Sequence, residues 1–231
     1  MKRKPVKQPE PSFIPFETMR ASFAAYDQNH FCRWLCGVFG EEKAFELANL
    51  YNVGTSKHWP GACVFWQIDE AGRIRAGKIM LYDAGTGRRV KQPGVMVRGV
   101  HWLLGMADRK PAGCLFGLHL LGETPSKPVA VVESEKSALI GAGFVPELTW
   151  MATGGSGNLN PEVLKPLRGR DVVLMPDLGP AFGKWKEIGR QAGVRMSRVL
   201  EDRATEQDRA DGLDIADFLL REHFTGRRVA V

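Results

Sequence analysis

The sequence predicts an α/β protein in which a mostly parallel sheet with covering helices follows a smaller α+β region. Two observations predict it. Past Thr124, short apolar runs alternate with helical stretches, which is typical of parallel strands joined by crossover helices. Before that residue, helical periodicity is followed by two β-rich runs around a short turn, which is typical of a hairpin. The 231 residues, 44% of them hydrophobic, suffice to bury a core.

The front region, residues 13–123, follows a flexible lead-in predicted for the charged and proline-containing residues 1–12. Asn29 is a suitable N-cap for a helix over Phe31–Phe39, and a second helical pattern runs over Glu41–Leu50. The runs 61–68 and 74–82 predict a β-hairpin, because Gly72 lies in the short connection between them. A further turn is predicted at 85–89.

The back region, residues 124–231, is the predicted parallel α/β domain. We predict a helix with Asn160 as N-cap and Pro161 in its first position, and a charged loop before the last helix. The predicted strands cover 129–132, 148–151, 171–175 and 194–199, and the other predicted helices cover 135–142, 183–192 and 214–223.

The positive charge is confined to the front region. Residues 1–123 hold 17 basic and 11 acidic side chains against 15 of each in residues 124–231, so the whole net charge of +6 lies in front. Nine lysines and arginines lie between Ala71 and Gly113, among them Arg109 and Lys110.

No apolar run of membrane-spanning length and no apolar signal region occurs, so we expect a cytoplasmic protein without a membrane partner.

Polar residues follow three of the predicted parallel strands. Glu133 follows the first, the glycine-rich stretch 152–158 follows the second, and Asp177 follows the third. Because the carboxyl ends of parallel strands share one edge of a sheet, the two carboxylates and the loop are expected to lie together. Carboxylates beside free backbone N–H groups suit a hard divalent cation and a phosphate.

Structural roles remain open for the same residues. Glu133 and Glu135 suit a helix N-terminus, and Asp214 and Asp217 suit the start of the last helix. The four cysteines contain no CxxC pair, so reduced thiols are the simplest interpretation and a zinc site with a nearby histidine is the alternative.

The order of these motifs resembles the Toprim domain of primases and topoisomerases, which is a Rossmann-like fold. The motifs are the runs 131–138, 150–155 and 172–177, and most of the chain resembles bacterial primase-related proteins of mobile elements. The resemblance implies that Glu133 is a general acid/base beside a metal and that Asp177 binds Mg²⁺ or Mn²⁺. Where the family has further acids, this chain has Ser137 and Gly179.

These departures leave two principal hypotheses. In the first, the protein binds DNA or RNA, single-stranded or as a primer-template, and catalyses Mg-dependent nucleotidyl transfer or phosphodiester cleavage with replication or mobilisation proteins as partners. In the second, it is a non-catalytic accessory that binds nucleic acid. A dinucleotide-binding enzyme is a third, weaker hypothesis, because Asn160 stands where that motif needs a glycine. No zinc-ribbon pattern is present, which argues against autonomous priming.

The site residues expected under the first hypothesis fall into three groups, and the candidate stacking residues Trp59, Trp66 and Trp102 form a fourth. Trp66 alternates with Val64, so a place in the core is an equal alternative for it. The candidate catalytic residues are Glu133 and Lys136; the candidate metal ligands are Glu133, Asp177 and Asp214; the candidate phosphate or nucleic-acid contacts are Thr153, Gly154, Gly155, Lys184, Arg88, Arg89 and Lys91.

Overall fold

A computed structural model describes residues 12–106 and 113–226. The predicted lead-in over residues 1–12, except Ser12, lies outside the described residues, as do Arg109 and Lys110 of the basic segment. The helices are α1 (Phe16–Arg20), α2 (His30–Phe39), α3 (Glu41–Leu50), α4 (Val100–Leu103), α5 (Glu135–Phe144), α6 (Ala181–Ala192), α7 (Val199–Arg203), α8 (Glu206–Asp211) and α9 (Ile215–Thr225). The strands are β1 (Gly54–Thr55), β2 (Cys63–Ile68), β3 (Ile74–Met80), β4 (Arg98–Gly99), β5 (Val129–Val132), β6 (Thr149–Ala152), β7 (Val172–Leu174) and β8 (Arg195–Met196).

The front region forms an antiparallel sheet in the order β1-β2-β3-β4, with the predicted hairpin at its centre. The turn at 69–73 contains Gly72 with φ of +75°, a left-handed conformation that favours glycine. The predicted helical lead is also confirmed. The side chain of Asn29 accepts a hydrogen bond from the backbone N–H of Cys32, which caps α2.

The back region forms the predicted parallel sheet, in the order β6-β5-β7-β8 with every pair parallel. At one edge, Phe116 and Ala152 exchange backbone hydrogen bonds of 2.8 and 3.0 Å and form an antiparallel bridge. A short segment before Thr124 therefore extends the second sheet, while the division of the chain at residues 123 and 124 stays a prediction.

Three predictions for the back region differ from the structure. The predicted helix from Asn160 is instead a series of turns followed by a 3₁₀ helix over Lys165–Leu167, although the Asn160 side chain does accept N–H groups from Glu162 and Val163. Pro166 lies inside the predicted helix, and proline disfavours the α conformation in the residue before it. The strand predicted over 194–199 is shorter in the structure, where it is β8. The predicted charged loop instead contains the short helices α7 and α8.

A single hydrophobic core joins the two regions. Phe31 of α2, Leu47 of α3 and Phe65 of β2 belong to the same buried cluster as Trp150 of β6 and Phe218 of α9. The buried Tyr51 hydroxyl also donates a hydrogen bond of 2.9 Å to the carbonyl of Trp150. The core therefore holds the antiparallel sheet against the helical side of the parallel sheet.

Two smaller clusters cover the remaining sheet faces. One packs on the other face of the parallel sheet, and the second covers the outer face of the antiparallel sheet and includes Trp66.

No helix in the described ranges combines the length and the apolar character that crossing a membrane requires. All four cysteines are free, and burial raises the pKa of Cys32 to about 12, so this thiol stays protonated.

Candidate functional site

The carboxyl edge of the parallel sheet brings Glu133 and Asp177 together, as their positions in the sequence predict. Strand β5 ends at Val132, and the Ser134 side chain caps α5, so Glu133 occupies the junction between strand and helix. The backbone N–H of Asp177 donates a hydrogen bond of 3.1 Å to Oε1 of Glu133. This contact fixes the Glu133 carboxylate beside Asp177, the third residue after β7.

Two further carboxylates reach the same edge from the start of α9. Asp214 and Asp217 form a capping box in which each side chain accepts the backbone N–H of the other. The second oxygen of Asp214 accepts a hydrogen bond of 2.6 Å from the Ser137 hydroxyl. The helix-start role considered from the sequence is therefore confirmed, and both oxygens of Asp214 are already engaged.

The carboxylates of this edge outnumber the cations close to them. Burial, followed by Asp214, Glu133 and Asp217, raises the pKa of Asp177 to about 8. Burial is also the largest cause that raises the pKa of Glu133, and the N–H of Asp177 partly offsets it. The nearby Lys136 ammonium lies 3.7 Å from Oδ1 of Asp217.

The glycine loop follows β6 and lies beside this cluster. The Thr153 hydroxyl donates to the carbonyl of Gly155 over 2.9 Å, and Gly154 has φ of +77°. Among the described residues that follow, the loop enters a 3₁₀ turn over Ser156–Asn158 instead of an α-helix. The helix N-terminus that would hold a dinucleotide pyrophosphate is thus missing from this stretch, which removes the basis of the dinucleotide hypothesis.

A contact that the sequence analysis missed joins the front sheet to the glycine loop. Nζ of Lys78, on β3, donates to Oε2 of Glu135 over 2.8 Å and to the carbonyl of Gly154 over 2.9 Å. Glu135 is 1% exposed, and its Oε1 has no hydrogen-bond partner among the described residues. A signal was present in the sequence, because Lys78 pairs across the hairpin with Phe65 and so faces the core, where a lysine needs a partner.

The predicted nucleic-acid contacts of the front region are exposed. Arg88, Arg89 and Lys91 all lie on the surface after β3. Burial is the largest cause that raises the pKa of Tyr82; Glu135 and Asp214 raise it further and Arg89 lowers it.

The other predicted nucleic-acid contacts, Lys184 and the three tryptophans, differ in how far their side chains are exposed. Lys184 is exposed on α6, and no contact described in the structure joins it to the acidic edge. Trp66 is a core residue and cannot stack on a ligand, because its side chain is 2% exposed and its Nε1 donates to the hydroxyl of Ser22. Trp59 is half-buried, whereas Trp102 is 55% exposed.

The side chains of the acidic edge fit a weakly held divalent cation. In the described part of the chain, no three or more histidine, cysteine, aspartate or glutamate side chains are arranged as a ligand set. Oε2 of Glu133 and both carboxylate oxygens of Asp177 accept no hydrogen bond from another described residue. Hard carboxylate oxygens are what Mg²⁺ prefers, and a site with two such groups leaves the ion several waters.

Comparison with known proteins assigns the family. A family profile with the description "Domain of unknown function (DUF6371)" matches residues 29–178, which is more than half of the chain. The chain belongs to this family. The match runs from Asn29, the N-cap of α2, to the residue after Asp177, so it includes the antiparallel sheet, strands β5 to β7, and Glu133 and Asp177 of the acidic edge, but not β8, Asp214 or Asp217. A search of the curated proteins found no significant match.

Solved structures show the fold of this DUF6371 protein. The primase fragment of the bacteriophage T7 primase-helicase is 15% identical with a TM-score of 0.51, and the match covers 78% of this chain and 66% of that one, slightly under two thirds. A DnaG primase catalytic domain bound to ssDNA is 12% identical with a TM-score of 0.51, and the match covers 91% of this chain and 80% of that one. The protein therefore has the Toprim-like, primase-related fold that its sequence resembles.

Proposed function

We propose that this protein binds single-stranded or primer-template nucleic acid through its basic front region and performs metal-dependent phosphoryl transfer at the carboxyl edge of its parallel sheet. The observation that carries the proposal is the placement of Glu133 and Asp177 at that edge with oxygens free for a ligand. Its context is replication or mobile-element maintenance, with other replication or mobilisation proteins as partners. The front region is proposed to comprise residues 13–123 and the catalytic region residues 124–231.

The charge of the acidic edge supports a cation there. A carboxyl with a pKa raised to about 8 by burial and neighbouring acids keeps its proton at neutral pH, and a bound cation would favour the ionised form. Glu133 and Asp177 would hold Mg²⁺ or Mn²⁺, with Asp214 positioned behind them by Ser137. When bound, such an ion neutralises charge on phosphate oxygens.

This chain's own residues supply the remaining parts of the proposed site. Glu133 is the candidate general base, since its buried carboxyl has a raised pKa and lies at the strand end. Lys136 supplies a cation beside the acids. In the loop at Thr153–Gly155, the N–H groups of Thr153 and Gly155 donate to the Val132 carbonyl and to the Thr153 hydroxyl, so the N–H of Gly154 is the loop's proposed donor to a phosphate. Exposed Arg88, Arg89 and Lys91 would hold the backbone of the nucleic acid, as would Lys184.

The solved neighbours and the charge distribution support a nucleic-acid partner. The DnaG catalytic domain with this fold was solved bound to ssDNA. In this chain all of the net positive charge lies in residues 1–123, next to the neutral region that holds the acids. Electrostatic attraction to phosphates is the term that gives sequence-independent affinity and its steep dependence on salt.

The metal site is tested by calorimetric titration of Mg²⁺ and Mn²⁺ into the wild type and into Glu133→Gln and Asp177→Asn. We expect the binding heat of the wild type to be lost in both variants. Lys165→Gln, an exposed change that breaks only an ion pair with Glu162, is the matched control and should bind as the wild type does. Equal heats in the wild type and the two site variants would refute the metal site.

A second candidate function is a non-catalytic nucleic-acid-binding accessory. Two observations favour it: Gly179 and Ser137 stand where the Toprim motifs that the chain resembles have acids, and both oxygens of Asp214 are taken by hydrogen bonds. A metal-dependent product on a primed or nicked template would select the catalytic function. Salt-sensitive binding of single-stranded DNA without any metal requirement would select the accessory, and charge reversal of Arg88 and Arg89 should weaken binding in both cases.

A further inference from the structure

A cavity of about 560 Å³ opens on the outer face of the antiparallel sheet. Its floor is apolar and includes Val64, Trp66 and Ile79, whose side chains lie on the face opposite to the core shared with the parallel sheet. The volume lies within the range of small-molecule binding sites in proteins, which is about 300–1,000 Å³. The cavity is therefore separate from the acidic edge and large enough for a nucleobase with its sugar.

One aromatic ring at the rim of this cavity begins a chain of ring contacts with two others that lie beside it. Trp59 lines it, and the His58 ring lies 4.3 Å from the Trp59 ring and 6.2 Å from the Trp102 ring, centroid to centroid. Trp102 is 55% exposed, although it directly precedes the lining residues Leu103 and Leu104. An exposed indole beside an open cavity offers a flat face on which another ring can stack.

Lys57 is the charged residue among the described residues that line the cavity, and a second cation, Arg98, lies beside Trp102. The Arg98 guanidinium lies 5.0 Å from the centroid of the Trp102 ring, and its buried Nε has no hydrogen-bond partner among the described residues. Lys57 lies on the rim and is exposed. None of the lining residues that the structure describes is an aspartate or glutamate. A negatively charged ligand with aromatic rings complements this surface in both respects.

We propose that this cavity binds one base of a single-stranded nucleic acid, while the adjacent base stacks on Trp102 and the intervening phosphate lies beside Arg98 and Lys57. The inference rests on the proposed function in assigning nucleic acid to the front region, and it adds a base-binding site remote from the acidic edge. Bases in a duplex have their faces covered by stacking, so the site selects single strands. An apolar helix from a second copy of the chain is the competing occupant.

The test compares two fluorescent oligonucleotides of about 12 nucleotides, oligodeoxythymidylate and an abasic strand of the same length, by anisotropy titration against wild type and Trp102→Ala. Removal of a stacking aromatic residue costs about 1–3 kcal/mol per base, so Trp102→Ala should weaken binding of oligodeoxythymidylate by about 5- to 150-fold. Its affinity for the abasic strand should stay at the wild-type level. The matched control is Phe224→Ala, which removes an aromatic ring that is 69% exposed on α9 and should change neither affinity.

The outcomes separate this site from the proposed function. If Trp102→Ala binds both strands as the wild type does, or loses affinity for both equally, the base-binding site is refuted while nucleic-acid binding by the front region stands. If the wild type binds neither strand, the proposed function fails as well. If sedimentation shows a wild-type dimer that Trp102→Ala dissociates, the occupant is a second copy of the chain, which also overturns the proposal.

Discussion

Replacing Lys78 by methionine tests the contact between the front sheet and the glycine loop. The substitution keeps an unbranched side chain one atom shorter than lysine but leaves the Glu135 carboxylate, which is 1% exposed, without its cation. Removing one partner of a buried ion pair costs about 3–5 kcal/mol. Because the Lys78 side chain is 21% exposed and water reaches part of it, we expect the lower end, about 3 kcal/mol.

The assay is thermal unfolding at neutral pH. In a chain of this size about 1 kcal/mol corresponds to about 2–4 °C in Tm, so Lys78→Met should lower Tm by about 6–12 °C. The double variant Lys78→Met/Glu135→Gln should recover at least half of the loss, since a neutral amide is less costly to bury than an unpaired charge. The reasoning is refuted if the single variant loses less than 1 kcal/mol, or if the double variant is no more stable than the single one.

Three other outcomes are expected. The Asp177 carboxyl keeps its proton in the folded state between its ordinary pKa of 3.8 and about 8, so its contribution to stability falls as pH rises through this window. The free energy of unfolding of Asp177→Asn should therefore exceed that of the wild type by about 2 kcal/mol at pH 9 and by little at pH 4. Melting curves at the two pH values would show the difference. Gly141→Ala should cost about 1–3 kcal/mol in urea unfolding, because its Cβ would lie 2.3 Å from the Trp150 ring. Gly37→Ala, in α2 with open space around it, should instead add about 0.5–1 kcal/mol, and a loss there would contradict the local geometry.

The sequence predicts the fold well where a local pattern decides the structure. The hairpin, α2 with its Asn29 cap and the all-parallel order of the back sheet follow from periodicity and strand-to-helix alternation. The helix expected after Asn160 is wrong because a suitable N-cap says nothing about Pro166 six residues later. The N-cap signal is real, but it caps a turn.

The candidate site was predictable only in part, because some of its contacts join residues that are far apart in the sequence. Glu133 and Asp177 could be placed together because strand ends share an edge. The partner of Lys78 is 57 residues away in the chain, so no local pattern connects it to Glu135. The capping of α9 by Asp214 follows from local spacing, whereas its contact with Ser137 depends on how α9 packs against α5.

The shared core has a consequence for synthesis of the chain. Phe31 of α2 and Leu47 of α3 belong to the same buried cluster as Trp150 and Phe218. The ribosome adds Trp150 and Phe218 more than one hundred residues after Phe31 and Leu47. Until those residues emerge, the nascent front half presents unburied hydrophobic surface, and closure of so many distant contacts slows folding. The shared core should consequently close only once α9 has emerged, and the period of greatest vulnerability to aggregation and chaperone capture precedes the completion of α9.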